Sequence, residues 1–156
     1  MNRITTLALA LTLTTFSAFA ADNSLGTWKR NIQKSTYNPQ PPNPYKSQTT
    51  TRESSAGGVR VTSKGERMDG MQVNGSYTVK YDGTPASVSG SGNFDTISIK
   101  QIDENTFTSE LSKSGTKYRT SGKTVISKDG KTMTVTQKGT GADGKPISYT
   151  IVSDKQ

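Results

Sequence analysis

The chain has 156 residues and a formal charge of +8, with no cysteine and no histidine. That length suits a single domain behind a targeting segment. Missing thiols exclude disulfide stapling and thiol nucleophiles; missing imidazoles remove the commonest general base near neutral pH and, with cysteine absent, the usual zinc sites.

Residues 1–20, MNRITTLALALTLTTFSAFA, read as a secretory signal. Arg3 gives the positive start, Ile4 to Phe16 a short apolar run, and Ala18-Phe19-Ala20 the small residues of a cleavage site. The run is shorter than the ~18 residues of a membrane span. No cysteine follows, so a lipid anchor is excluded. The expected mature protein begins near Ala21 as one domain, 21–156, in a bacterial periplasm or exterior. Its hydrophobic share is only 29% over the whole chain, and the signal holds many of those residues, so the expected core is modest.

From there the pattern is two-fold. Val59 and Val61 alternate with Arg60 and Thr62; Val73, Tyr77, Val79 and Tyr81 with Asn74, Ser76, Thr78 and Lys80; Ile97 and Ile99 with Thr96, Ser98 and Lys100. Phe107 and Leu111, then Met133 and Val135, then Ile147, Tyr149 and Ile151 continue it. Such runs are half-buried antiparallel strands. They are expected at 26–31, 46–54, 59–67, 72–80, 84–88, 95–101, 106–112, 116–127, 131–138 and 146–153. Asp69-Gly70, Asp82-Gly83, Asp129-Gly130 and Asp143-Gly144 fall between strands and suit tight type I′ hairpins. Residues 32–45, with four of the six prolines, read as a long extended connection after the first strand. Their P-x-x-P spacings read as a rigid loop ahead of a docking motif. The expected fold is an all-β, up-and-down antiparallel meander of about eight to ten strands, closed into a barrel ahead of a sandwich or open sheet. Closure also removes the edges that invite aggregation.

Chemistry finds little support. A Ser–His–acid triad has no histidine, and nothing marks the Ser–Lys neighbours, such as Ser63-Lys64 and Ser127-Lys128, as a dyad. The aspartates before glycine are explained by turns, while Glu53, Glu66 and Glu110 face away from apolar neighbours. Gly122-Lys123-Thr124 and Gly130-Lys131-Thr132 lack the leading glycine of a phosphate-binding loop. GADGKP at 141–146 has one aspartate, too few for a calcium loop. No enzyme, cofactor or metal is expected. The lysines are spread along the chain, which favours solubility over a specific nucleic-acid surface.

Leu25-Gly26-Thr27-Trp28-Lys29 holds the only tryptophan. It resembles the opening strand of fatty-acid-binding proteins, and Gly26-Thr27-Trp28 resembles the lipocalin signature. Both belong to the calycin group of barrels with an interior ligand cavity. The resemblance implies that Trp28 is a structural plug at the closed end. Departures are plain: prolines stand where fatty-acid-binding proteins place two helices, the C-terminal Arg-x-Tyr is missing from ISYTIVSDKQ, and the lipocalin disulfides are absent. GTWKRNIQKSTY and SKDGKTMTVTQKGTGADGKP are more similar to small, uncharacterised exported bacterial proteins. The resulting expectation is an exported, non-enzymatic, calycin-like barrel for a small apolar, amphipathic or lipid-like ligand. Its candidate wall is Tyr77, Tyr81, Phe107, Tyr118, Met133 and Tyr149, with Arg119 neutralising a ligand acid if that face points inward. Tyr118, Thr120 and Ile126 share one face and Arg119 and Val125 the other, and the sequence leaves open which is inside. The alternatives are an interaction or inhibitor module acting through loops of a packed barrel, and a basic surface for polyanions.

Overall fold

A computed structural model describes residues 22–156; the expected secretory signal at 1–20 lies outside the described residues. Ten antiparallel strands form the domain: β1 (Gly26–Asn38), β2 (Tyr45–Ser55), β3 (Gly58–Arg67), β4 (Gln72–Lys80), β5 (Ala86–Ser89), β6 (Thr96–Asp103), β7 (Thr106–Ser112), β8 (Arg119–Ile126), β9 (Thr132–Thr140) and β10 (Pro146–Lys155). Each pairs with its neighbour in sequence, and β1 pairs with β10, so the meander closes into the expected barrel. Among the described residues no helix is long and apolar enough to cross a membrane.

The alternation sets which side chains are enclosed. Val59, Val61, Val79, Ile97, Ile99, Phe107, Leu111 and Tyr118 make one buried cluster. Trp28, Ile126 and Met133, with Val135 against them, make a second. Along β8 and the residue before it the open choice resolves: Tyr118, Thr120 and Ile126 are buried, while Arg119 and Val125 face solvent. Gly122 falls on the same inward face by alternation, and the ladder there leaves no room for a side chain. A Cβ at that position would fall 1.9 Å from the Thr136 carbonyl oxygen and 2.8 Å from Gln137 Cδ. Gln137 is 1% exposed and donates from Nε2 to Ser109 Oγ at 2.6 Å, so a polar side chain fills mid-barrel space.

Two expectations are corrected. The first strand does not stop at residue 31. β1 continues through 32–38, and its pairing with β10 skips between Asn31 and Thr36. Side chains repair that bulge: Ser35 Oγ donates to the Asn31 carbonyl at 2.7 Å and accepts from Val152 N at 3.1 Å, and Asn31 Nδ2 donates to Asp154 Oδ2 at 2.9 Å. The connection is only the proline segment 39–44.

The Asp-Gly hairpins are not type I′, because no residue other than glycine has a positive φ among the described residues. Gly70, Gly130 and Gly144 each donate a backbone N–H to the residue three before, closing type I-like turns in which glycine takes the left-handed position. Each aspartate acts through its side chain instead, accepting the N–H two residues on: Met71, Lys131 and Lys145. Asp82 likewise accepts from Thr84 N, but in the link between β4 and β5 rather than a hairpin.

One end of the barrel gathers 22–25, the β2–β3 hairpin and the β8–β9 turn; the other gathers the β3–β4, β7–β8 and β9–β10 turns and the proline segment. At the first end, Trp28 is 1% exposed and its Nε1 donates to the Ser24 carbonyl at 2.8 Å. Lys155 Nζ lies 5.1 Å from the centre of its ring. Trp28→Ala is expected to lower unfolding stability by about 3–5 kcal/mol, as for other large buried aromatics. Val125→Ala, on the outer face, should stay within about 0.5 kcal/mol. Urea denaturation with an unchanged m value checks both.

Candidate functional site

The two ends differ in kind. At the Trp28 end, Asp22 ties the chain shut. Its Oδ1 accepts from Ser24 N at 2.9 Å and Ser24 Oγ at 2.5 Å, and its Oδ2 accepts from the Tyr81 hydroxyl at 2.5 Å. Arg52, 8% exposed, donates from Nε to Ser24 Oγ at 3.0 Å and from Nη2 to the Tyr81 hydroxyl at 3.4 Å. The Tyr81 ring packs on Phe107 at 5.1 Å between centroids. This end is filled.

The opposite end holds a partly enclosed cavity of about 480 Å³. Its walls come from β1 (Arg30, Tyr37), β2 (Tyr45, Gln48), β3 (Ser63, Arg67), β4 (Val73, Tyr77), β5 (Val88), the 91–94 segment (Phe94) and β10 (Ile147, Tyr149, Ile151), with Tyr118 beside β8. The proline segment crosses the rim, with Pro39, Pro41, Pro42 and Pro44 among its lining. It is anchored to the β3–β4 turn: Arg67 Nη1 donates to the Asn43 carbonyl at 2.7 Å, Met68 N to the Pro44 carbonyl at 3.0 Å, and Asn43 Nδ2 to Asp69 Oδ2 at 2.6 Å. These prolines are therefore part of the cavity wall.

The cavity exists where β1 and β2 diverge. Their pairing runs from Gly26/Arg52 to Lys29/Thr49 and ends there. Arg30, the next residue, turns into the fork. Its Nη1 donates to the Tyr37 hydroxyl at 2.8 Å, and its guanidinium carbon lies 4.5 Å from the Tyr45 ring centre. Arg67 meets the same ring at 4.9 Å. Opposite, the Tyr118 and Tyr149 hydroxyls lie 3.4 Å apart, and Tyr149 sits 6.1 Å from Tyr37, ring to ring.

Of the expected wall, Tyr77, Tyr118 and Tyr149 line this cavity. Tyr81, Phe107 and Met133 face inward as expected, but at the other end, in packed clusters. Trp28 is there too. Arg119 points outward and donates to the Lys113 and Tyr118 carbonyls, at 3.3 and 2.6 Å. The arginines that line the cavity are Arg30 and Arg67, which sequence reasoning missed. Arg30 shares the face of Trp28 two residues earlier, but it stands beside the predicted connection, and Arg67 stands at a strand end. Among the described residues, no group of three or more acidic side chains is placed to hold a metal ion.

No protein-family model matches the chain, and no curated protein matches it significantly. Among solved structures it is similar to EF1p2_mFAP2b bound to DFHBI, at 11% identity and a TM-score of 0.47, over 86% of this chain and 94% of that one. It is also similar to a redesigned beta barrel, mFAP1, bound to DFHBI, at 15% identity and a TM-score of 0.41, over 83% and 94%. The barrel described above rests on this chain's own strand pairing, and neither likeness bears on what it binds.

Burial reshapes the tyrosines. It raises the Tyr77 and Tyr149 hydroxyls above the ordinary phenol value, Tyr77 against the opposing pull of Arg52, and Tyr149 with help from neighbouring Tyr118. It pushes Tyr81 up to about 12. A phenol whose pKa is raised on folding stabilises the fold fully below the unfolded value of about 10, and that contribution is lost as pH rises through the folded value. Absorbance at 295 nm is thus expected to keep rising beyond pH 11 in the folded protein and to collapse to one transition near ~10 in denaturant. The urea midpoint should fall between pH 10 and 12.

Proposed function

We propose that this protein is an exported, non-enzymatic barrel that takes a small apolar or amphipathic molecule into the cavity beneath the proline segment. The carrying observation is that cavity. Its volume of about 480 Å³ lies in the usual range of small-molecule sites, and it pairs apolar surface (Val73, Val88, Phe94, Ile147, Ile151) with a few polar tips. Tyrosine suits such a wall, offering an apolar ring and a polar end at low entropic cost. Export is supported by the first twenty residues, and a non-enzymatic role by the absence of histidine and cysteine, which leaves no Ser–His or Cys–His pair.

Filling the cavity tests the reading. N-phenyl-1-naphthylamine, a neutral apolar fluorophore, is expected to bind the full chain saturably. Val88→Trp should weaken that binding at least tenfold, and Val125→Trp on the outer face should not. Saturable binding that survives in Val88→Trp, or no binding to the unaltered protein, would overturn it. Export is checked separately: the protein recovered from its host's periplasm should begin at Ala21 by intact mass, and a retained Met1 would refute processing.

A further inference from the structure

Arg30 is the feature of the cavity that the chain leaves uncompensated. Desolvating a guanidinium is costly unless an anion or a full set of acceptors replaces its water. Arg30 has one hydrogen bond to a side chain, to the Tyr37 hydroxyl, and its buried Nε has no partner. A guanidinium carries five N–H donors in a fork that matches an oxyanion, and Nη1 is the nitrogen bonded to a side chain here. The ion pairs among the described residues are Lys46–Glu66 and Lys145–Asp143, and neither involves Arg30 or Arg67. The charged side chains that line the cavity are Arg30, Arg67 and Lys113, with no aspartate or glutamate among them. Burial lowers the Arg30 pKa from the guanidinium value, and the titratable groups around it are the phenols of Tyr37, Tyr45 and Tyr149.

The comparison inside the same molecule sharpens this. Arg52, buried at the opposite end, reaches Asp22 through the Ser24 and Tyr81 hydroxyls. Arg30 has no such route. The Tyr45 ring beside the guanidinium offsets part of the cost but supplies no acceptor for the Nε N–H.

Resting on the reading of the cavity as a ligand site, we propose that its ligand is an amphiphile with an oxyanionic head, carboxylate or phosphate. The head is held by Arg30 and Arg67 where they share the Tyr45 ring, and the apolar body lies along Val73, Val88 and Phe94. A planar fork of donors matches either head group.

Dodecanoate, dodecyl phosphate and dodecan-1-ol, titrated calorimetrically into the full chain, separate the outcomes. At least one anion is expected to bind about tenfold or more tighter than the alcohol, in line with a hydrogen-bonded charge pair. Whichever anion leads identifies the head. Arg30→Gln and Arg67→Gln should each bring that anion toward the alcohol's affinity, while Arg119→Gln, on the outer face, leaves it unchanged. If the alcohol binds as tightly as both anions, the oxyanion site is wrong and the cavity reading stands. Unchanged anion affinity in both arginine variants overturns the site in the same way. If none of the three binds and N-phenyl-1-naphthylamine also fails, both readings fall. The head-group comparison on the unaltered protein decides the matter even if Arg30→Gln does not fold.

Discussion

A ten-strand barrel encloses more space than this chain's apolar side chains can occupy, and the rest of the structure follows from where they are placed. Interior volume grows with strand number, and eight strands already suffice to hold side chains or one small ligand. With hydrophobic residues at 29% of the sequence, the interior cannot be filled uniformly. Trp28, Phe107, Ile126 and Met133 are gathered toward one end, where they pack to near-zero exposure. The other end receives tyrosines and arginines, whose polar tips seek partners at the wall and hold their rings apart. The cavity is the complement of that uneven filling.

The two ends also treat charge differently. At the filled end, Asp22, Ser24, Tyr81 and Arg52 form a connected polar network in which a buried cation has a carboxylate one hydroxyl away. Such a network rigidifies a core when its members are satisfied. It also fixes the segment before β1 across the barrel mouth, which positions the Ser24 carbonyl for the Trp28 indole. At the cavity end the sheet itself opens, because β1 and β2 separate after Lys29 and Thr49. The proline segment suits that opening. Proline has no N–H to leave unpaired at a sheet edge, and its fixed φ holds a span across the rim.

Much of the architecture was legible because period-two alternation is a strong signal when one face is buried. The runs through Val59, Val79, Ile97, Phe107 and Met133 each became a strand with those residues inside. Where the signal failed, side chains had replaced the backbone logic. Residues 32–38 look like a connection because Gln33, Lys34 and Ser35 break the alternation, yet Ser35 and Asn31 supply the hydrogen bonds that carry β1 across its bulge. The Asp-Gly pairs marked turns correctly but not their type. Aspartate acts there as a side-chain acceptor with negative φ, and only glycine needs the left-handed region.

The site was less legible than the fold, for a geometric reason. Alternation reports which face of the sheet a residue occupies, but not its height along the barrel. Tyr77 and Tyr81 share a face and a run of sequence, yet four residues at about 3.3 Å each set them some 13 Å apart. That distance spans the change from cavity wall to packed floor: Tyr77 lines the void, and Tyr81 seals the opposite end against Phe107 and Asp22. Height depends on register between strands distant in sequence, such as β1 with β10, and on where pairing stops, as between β1 and β2. Arg30 and Arg119 make the same point for charge. Arg119 belongs to a regular strand and obeys its alternation, which turns it to solvent. Arg30 shares the inward face of Trp28 and stands just past the point where β1 and β2 part, so its guanidinium meets the cavity. Arg52 also enters the barrel, but there Ser24 and Tyr81 meet it; Arg30 and Arg67 line the end where the β1–β2 ladder has stopped, so that interruption locates the cavity.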